Sequence, residues 1–258
     1  MMTEGLFSLE GRVALVTGGN SGLGRGIARG YRAAGAQVVV TGRNPDKNAA
    51  MVAEFGDTKA VIALEVQDEA AVKKAVDHVV GHFGRIDILV NNAGLFRGGP
   101  ILEMALDDWN TVMGAHLTGP YLCSKYAGQK MRDQGEGGKI INIGSMYSVL
   151  GPPNAADYAA AKAGVLGLTR SMATELAAYN IQVNALLPGW FETDMTRGLP
   201  ARPRGEEIRK HTPAGRWGED ADMVGAAIFL ASPASDFVTG VSLPVDGGYL
   251  LSERQLHD

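Results

Sequence analysis

Short runs of consecutive apolar residues, such as Val13-Ala14-Leu15-Val16 and Val38-Val39-Val40, alternate along this chain with longer stretches whose apolar positions recur at helical spacing. A run that is apolar at successive positions is buried on both faces, the situation of a strand inside a parallel sheet covered by helices. The alternation therefore predicts crossover units. Strands are expected near Arg12 to Thr17, Gln37 to Thr41, Ala60 to Leu64, Ile86 to Asn91, Lys139 to Gly144, Ile181 to Leu186 and Val241 to Val245. Helices are expected between them, near Gly22 to Ala33, Pro45 to Phe55, Glu69 to Phe83, Asp107 to Arg132, Asp157 to Ala178 and Ala221 to Ala231. No repeat, linker or low-complexity tract interrupts the series, so one domain over residues 1–258 is expected, an α/β fold on a doubly wound, seven-stranded parallel sheet. The stretch from Phe191 to Thr212 departs from it. Rich in Pro, Gly and Arg and without clear periodicity, it reads as a substrate lid at about 191–212, mobile until ligand binds.

Composition narrows the function classes. A net charge of −4, with no basic arm or Lys/Arg cluster, argues against nucleic-acid or anionic-membrane partners. No stretch approaches 18 consecutive apolar residues and the N-terminus lacks a basic region, so a cytoplasmic protein is expected. The single cysteine, Cys123, lies in an apolar helical stretch and reads as a buried, inert thiol.

Two motifs carry chemistry. Thr17-Gly18-Gly19-Asn20-Ser21-Gly22-Leu23-Gly24 joins the first predicted strand to the first helix, the context a Rossmann-type dinucleotide turn requires. Glycines there let the backbone approach a pyrophosphate, and the helix N-terminus receives its charge. Gly18, Asn20, Ser21, Gly22, Leu23 and Gly24 are the candidates. The second motif is Tyr158-Ala-Ala-Ala-Lys162, with Ser145 thirteen residues before the tyrosine. Tyr158 and Lys162 leave one helix face, and an ammonium near a phenol lowers the phenol's pKa from about 10. Tyr158 is thereby a candidate general acid/base for a carbonyl/alcohol pair, and Ser145 a hydrogen-bond donor to the substrate oxygen.

With these motifs in place the chain resembles the short-chain dehydrogenase/reductase family from roughly Leu9 to Leu250, and within it the branch of gluconate 5-dehydrogenases and 3-oxoacyl-carrier-protein reductases. Asn91-Asn92-Ala93-Gly94, and Pro188-Gly189 followed by Thr193, complete the match. The resemblance implies that Tyr158 transfers the proton, Lys162 orients the nicotinamide ribose, and Ser145 positions the substrate oxygen. It implies that Asn91, Ala93, Gly94, Pro188, Gly189 and Thr193 flank the cofactor, and that Glu65 and Val66 hold the adenine where the family has Asp-Val. A homotetramer, with a dimer next, is also implied. One departure stands out: Ala115-His116-Leu117-Thr118-Gly119 carries a histidine where the family has a catalytic asparagine. An imidazole there titrates near pH 6.5, so His116 is expected to rebuild the proton relay and to give kcat an inflection between roughly pH 6 and 7.5.

At the end of the second strand Gly42 stands where NAD-preferring sites carry a carboxylate, and Arg43 follows, so NADP(H) is favoured and NAD(H) left open. The substrate is expected to be a small carbonyl or alcohol. By resemblance Phe96, Met146, Asn154 and Trp190 surround it, and Arg97 pairs a carboxylate if the substrate is a gluconate-type sugar acid. A catalytically weak cofactor-binding module is the alternative.

Overall fold

The computed structural model describes residues 5–252. Seven strands form one parallel sheet in the order β3-β2-β1-β4-β5-β6-β7. They are β1 (Val13–Val16), β2 (Gln37–Gly42), β3 (Val61–Ala63), β4 (Ile88–Asn91), β5 (Gly138–Ile143), β6 (Ile181–Pro188) and β7 (Ser242–Val245). The order reverses between β1 and β4, whose register pairs Leu15 with Leu89. Loops leaving the two strands diverge there and open a crevice at the carboxyl ends.

Helices α1 (Gly22–Ala33), α2 (Pro45–Phe55) and α3 (Glu69–Phe83) begin and end where local chemistry dictates. Asn44 accepts a hydrogen bond from Lys47 N at 2.9 Å and Asp68 one from Ala71 N at 3.0 Å, satisfying orphan amides at the helix starts. Gly56 and Gly84 close α2 and α3 in the left-handed conformation. One sheet face packs Ile27, Tyr31, Met51 and Leu230; the other packs Val76, Val79, Cys123 and Met131. Both layers exclude water, which is why the central strands read as unbroken apolar runs.

Two expectations need correction. The single helix expected from Asp107 to Arg132 is α4 (Leu106–Met113) and α5 (Gly119–Gln134) joined by a π-helical turn, Gly114–Thr118. There the Gly119 N–H bonds Gly114 O, five residues back, and both glycines lie close to neighbouring side chains: an added Cβ would meet Gln67 Oε1 at 1.8 Å or Val66 Cγ2 at 2.7 Å. Such bulges widen the helix and re-aim its side chains. The stretch expected to be an aperiodic lid contains α7 (Pro203–His211), started by a proline at its first turn and anchored where Trp217 Nε1 donates to Gly205 O at 3.1 Å. The remaining helices are α6 (Ala156–Leu176) and α8 (Asp220–Ala231). Among the described residues no helix is long and apolar enough to cross a membrane.

Candidate active site

The crevice at the β1/β4 switch is a cleft of about 640 Å³. Its floor is glycine. Gly18 (φ 62°) and Gly22 (φ 50°) adopt left-handed backbone, and a Cβ on Gly18 would meet Ala93 Cα at 2.9 Å. Asn92 ties that turn to the end of β4, donating to Thr17 O and Gly18 O at 3.0 and 3.1 Å. Gly18, Asn20, Ser21, Gly22, Leu23, Glu65, Val66, Ala93, Gly94, Pro188, Gly189 and Thr193 all line the cleft. A cradle that admits backbone but no side chain fits a dinucleotide pyrophosphate laid on the N-terminus of α1. Gly24 and Asn91 stand behind the wall. A Cβ on Gly24 would meet Asn92 Nδ2 at 2.3 Å, and Asn91 Nδ2 donates to Ser124 Oγ and Asn142 Oδ1, bracing β4 against β5.

At the far end, Gly42 lies against Asn20. A Cβ there would lie 1.9 Å from Asn20 Nδ2, so the position that would carry a 2′-hydroxyl-binding carboxylate is already filled by the glycine turn's own side chain. Arg43 lines the cleft but is paired: NH1 donates to Glu65 Oε2 at 3.1 Å. Thr41, Asn44 and Lys47 line it as well, and sequence reasoning missed all three. Lys47 was findable, since it lies one helical turn beyond the strand end.

The catalytic candidates converge near the opposite wall. Ser145 follows β5 and caps a short turn, its Oγ accepting from Tyr147 N at 3.1 Å. Tyr158, on the first turn of α6, is ringed edge-on by His116, Phe96 and Tyr147 at centroid distances of 5.0, 5.6 and 6.3 Å. Burial among these rings pushes its phenol up to about 12, against a smaller opposing pull from Ser145. Lys162 is buried, donates to Ile143 O at 2.5 Å, and lies 5.6 Å from the Tyr158 ring centroid. Its ammonium has three donors and one protein acceptor, and burial pulls its pKa down to about 7. The Tyr158 pKa does not come down toward neutral pH as expected: desolvation outweighs any pull from Lys162, and at neutral pH Tyr158 holds its proton.

His116 is also corrected. The π-turn drives its ring inward, 2% exposed, where Nε2 sits 3.0 Å from Leu95 N and 2.6 Å from Leu95 O, and Nδ1 has no partner. Desolvation, then the charge of Lys162, hold its pKa down to about 3, so it stays neutral across the pH 6–7.5 window in which it was expected to titrate.

Of the expected substrate residues, Phe96 lines the cleft. Arg97 points elsewhere, pairing with Asp108 at 3.6 Å. Met146 is buried beneath its turn, Asn154 (φ 59°) holds the 98–99 loop through Gly99 N, and Trp190 packs against Tyr147 and Trp217. None of the four lines the cleft. Arg204 of α7 lies near the Tyr147 hydroxyl, where its charge partly offsets the rise that burial gives that phenol's pKa. Among the described residues no group of three or more His, Cys, Asp or Glu is placed to hold a metal ion.

Comparison with known proteins gives three kinds of match. A family model described as enoyl-(acyl carrier protein) reductase covers residues 18–250. The 2-dehydro-3-deoxy-D-gluconate 5-dehydrogenase of Escherichia coli (strain K12) is 43% identical over 246 residues, 95% of this chain and 97% of that one. The gluconate 5-dehydrogenase of Gluconobacter oxydans (strain 621H) is 40% identical, over 96% and 98%. Among solved structures, a gluconate 5-dehydrogenase from Burkholderia cenocepacia J2315, in complex with NADP and tartrate, superposes with a TM-score of 0.91 at 43% identity, covering 96% of this chain and 99% of that one.

Proposed function

We propose, for a chain that belongs to the short-chain dehydrogenase/reductase family and is an NAD(P)-dependent oxidoreductase, that it uses NADP(H) to interconvert the ketone and secondary alcohol of a gluconate-type sugar acid. The observation that carries this proposal is the convergence of Ser145, Tyr158 and Lys162 at one end of a glycine-floored cleft, with Lys162 Nζ 5.6 Å from the Tyr158 ring centroid. The nicotinamide, when bound, supplies or accepts the hydride. In the reductive direction Tyr158 gives its proton to the carbonyl oxygen, and Ser145 donates a hydrogen bond to the same oxygen as charge develops on it. Lys162, charged below about pH 7, then faces the phenolate left behind and lowers its energy. A weak cofactor-binding module would have no use for this set.

NADP(H) is supported by Gly42, held free of any carboxylate by Asn20, and by the two cations Arg43 and Lys47 on the same wall. The relative crystallised with NADP and tartrate adds support for both cofactor and hydroxy-acid. For the substrate carboxylate we favour Arg204 over Arg97, because Arg97 is paired with Asp108 while Arg204 acts on Tyr147, one of the rings around Tyr158. The lid role of residues 191–212 belongs to the same proposal: α7 delivers Arg204.

The test is reduced-nicotinamide absorbance with a keto sugar acid and a neutral keto sugar of the same carbon count. Tyr158→Phe should lose about 10²–10⁴ in rate with cofactor binding intact. Arg204→Ala should raise KM for the acid roughly tenfold and leave the neutral analogue unchanged. If the phenylalanine variant keeps most of its kcat, Tyr158 is not the acid. We also propose a homotetramer, supported by the small exposed residues Ala160, Ala163 and Gly167 along α6 and by exposed Tyr121 on α5.

A further inference from the structure

Each of the two cations at the adenosine end of the cleft is tied to a carboxylate on the same wall. Arg43 holds Glu65, and Lys47 Nζ donates to Asp194 Oδ2 at 2.5 Å. The second pair joins distant parts of the chain. Lys47 lies on the first turn of α2, just past the strand end where a ribose 2′-substituent is read, while Asp194 lies in the segment that leaves β6. Thr193, its neighbour, sits over the glycine turn, within 3.5 Å of where a Cβ on Gly22 would be. The Lys47–Asp194 pair thus spans from the ribose end to the phosphate end.

Three features make this pair exchangeable. Both side chains are 41% exposed, and exposed ion pairs are weak. Asn44 fixes the Lys47 backbone amide, leaving the side chain free to swing. Asp194 has a second cation, Arg197, so its charge is not stranded when Lys47 leaves. Together the two cations hold its carboxyl below the usual carboxylate range.

We infer that Lys47 is a second reader of the NADP(H) 2′-phosphate and that Asp194 competes with the phosphate for it. A phosphate carries nearly two charges and three strong acceptor oxygens, against one charge on Asp194, so it draws the ammonium away. A 2′-hydroxyl offers no such attraction, and NADH leaves the pair closed. Binding of the phosphorylated cofactor therefore leaves Asp194 to Arg197. Lys47 is a specificity residue in this scheme. The inference rests on the NADP(H) proposal above.

Isothermal titration of the full chain with NADPH and with NADH tests it, without turnover. Lys47→Met should weaken NADPH about tenfold and leave NADH unchanged, the NADH value also reporting that the variant is folded. Asp194→Asn should tighten NADPH severalfold, and the gain should vanish in the Lys47→Met/Asp194→Asn double variant. An unchanged NADPH-to-NADH ratio in Lys47→Met overturns the reader role, and a gain that persists in the double variant overturns the competition. Arg43→Ala separates the two levels. If it lowers the ratio and Lys47→Met does not, only this inference fails; if wild type shows no preference and neither variant changes that, the NADP(H) proposal itself fails.

Discussion

At the scale of single residues the site is governed by desolvation. His116, Tyr158 and Lys162 lie within one another's reach, and burial moves each toward its neutral form. For His116 this has a sign that can be measured. Its pKa is about 3 in the folded chain and the ordinary 6.5 when unfolded, so between those values the unfolded chain binds one more proton. Stability conferred by the neutral ring is complete above pH 6.5 and is lost as pH falls toward 3, with a slope approaching about 1.4 kcal/mol per pH unit. His116→Asn removes that titration. Urea unfolding between pH 7 and 4 should show the asparagine variant losing less stability on acidification than wild type, while the pH profile of kcat between 6 and 7.5 stays the same in both. Parallel stability profiles would mean that folding leaves the His116 pKa where it stands in the unfolded chain.

At the scale of elements, cofactor choice depends on how β2 meets the glycine turn. Asn20 reaches across to donate to Asn48 Oδ1 at 2.7 Å, and Asn48 in turn donates to Gly42 O at 2.9 Å, so turn, strand and α2 are laced together at one point. A carboxylate introduced at position 42 meets this lacing first. Gly42→Asp should therefore not convert the protein to NADH. It should weaken both cofactors and destabilise the fold by about 1–3 kcal/mol, the usual penalty of overpacking. Thermal unfolding with and without each cofactor reads both effects, and a stable variant with improved NADH affinity would refute the packing explanation. The π-turn works at this scale too: it is the element that sends His116 inward.

At the scale of the molecule, helices and connecting segments leave apolar side chains uncovered. Phe237 is fully exposed and Leu251 is 88% exposed, near the β7 end, in addition to Tyr121 and the small residues along α6. Small residues let helices approach closely, and closed symmetry is the common way to cover such faces. Light scattering at micromolar concentration should give a homotetramer, and replacing Ala163 with Arg should shift it toward smaller species. A monomeric wild type would rule the assembly out.

The sequence by itself determined whatever depends on near neighbours. Unbroken apolar runs fixed the strands, within a few residues, because both sheet faces are covered; the run Gly18 to Gly24 marked the glycine turn because Gly18 and Gly22 take up left-handed backbone; Tyr158 and Lys162 were paired by their four-residue spacing on α6. The π-turn escaped notice because the side chains packed on Gly114 and Gly119, those of Gln67 and Val66, come from a distant part of the chain. Charge partners were decided only by the tertiary structure. Arg97 faces Asp108, Arg43 faces Glu65, and Lys47 meets Asp194 across 147 positions. A long cationic side chain has several carboxylates within its reach, and which one it meets is set by where the backbone has carried each of them.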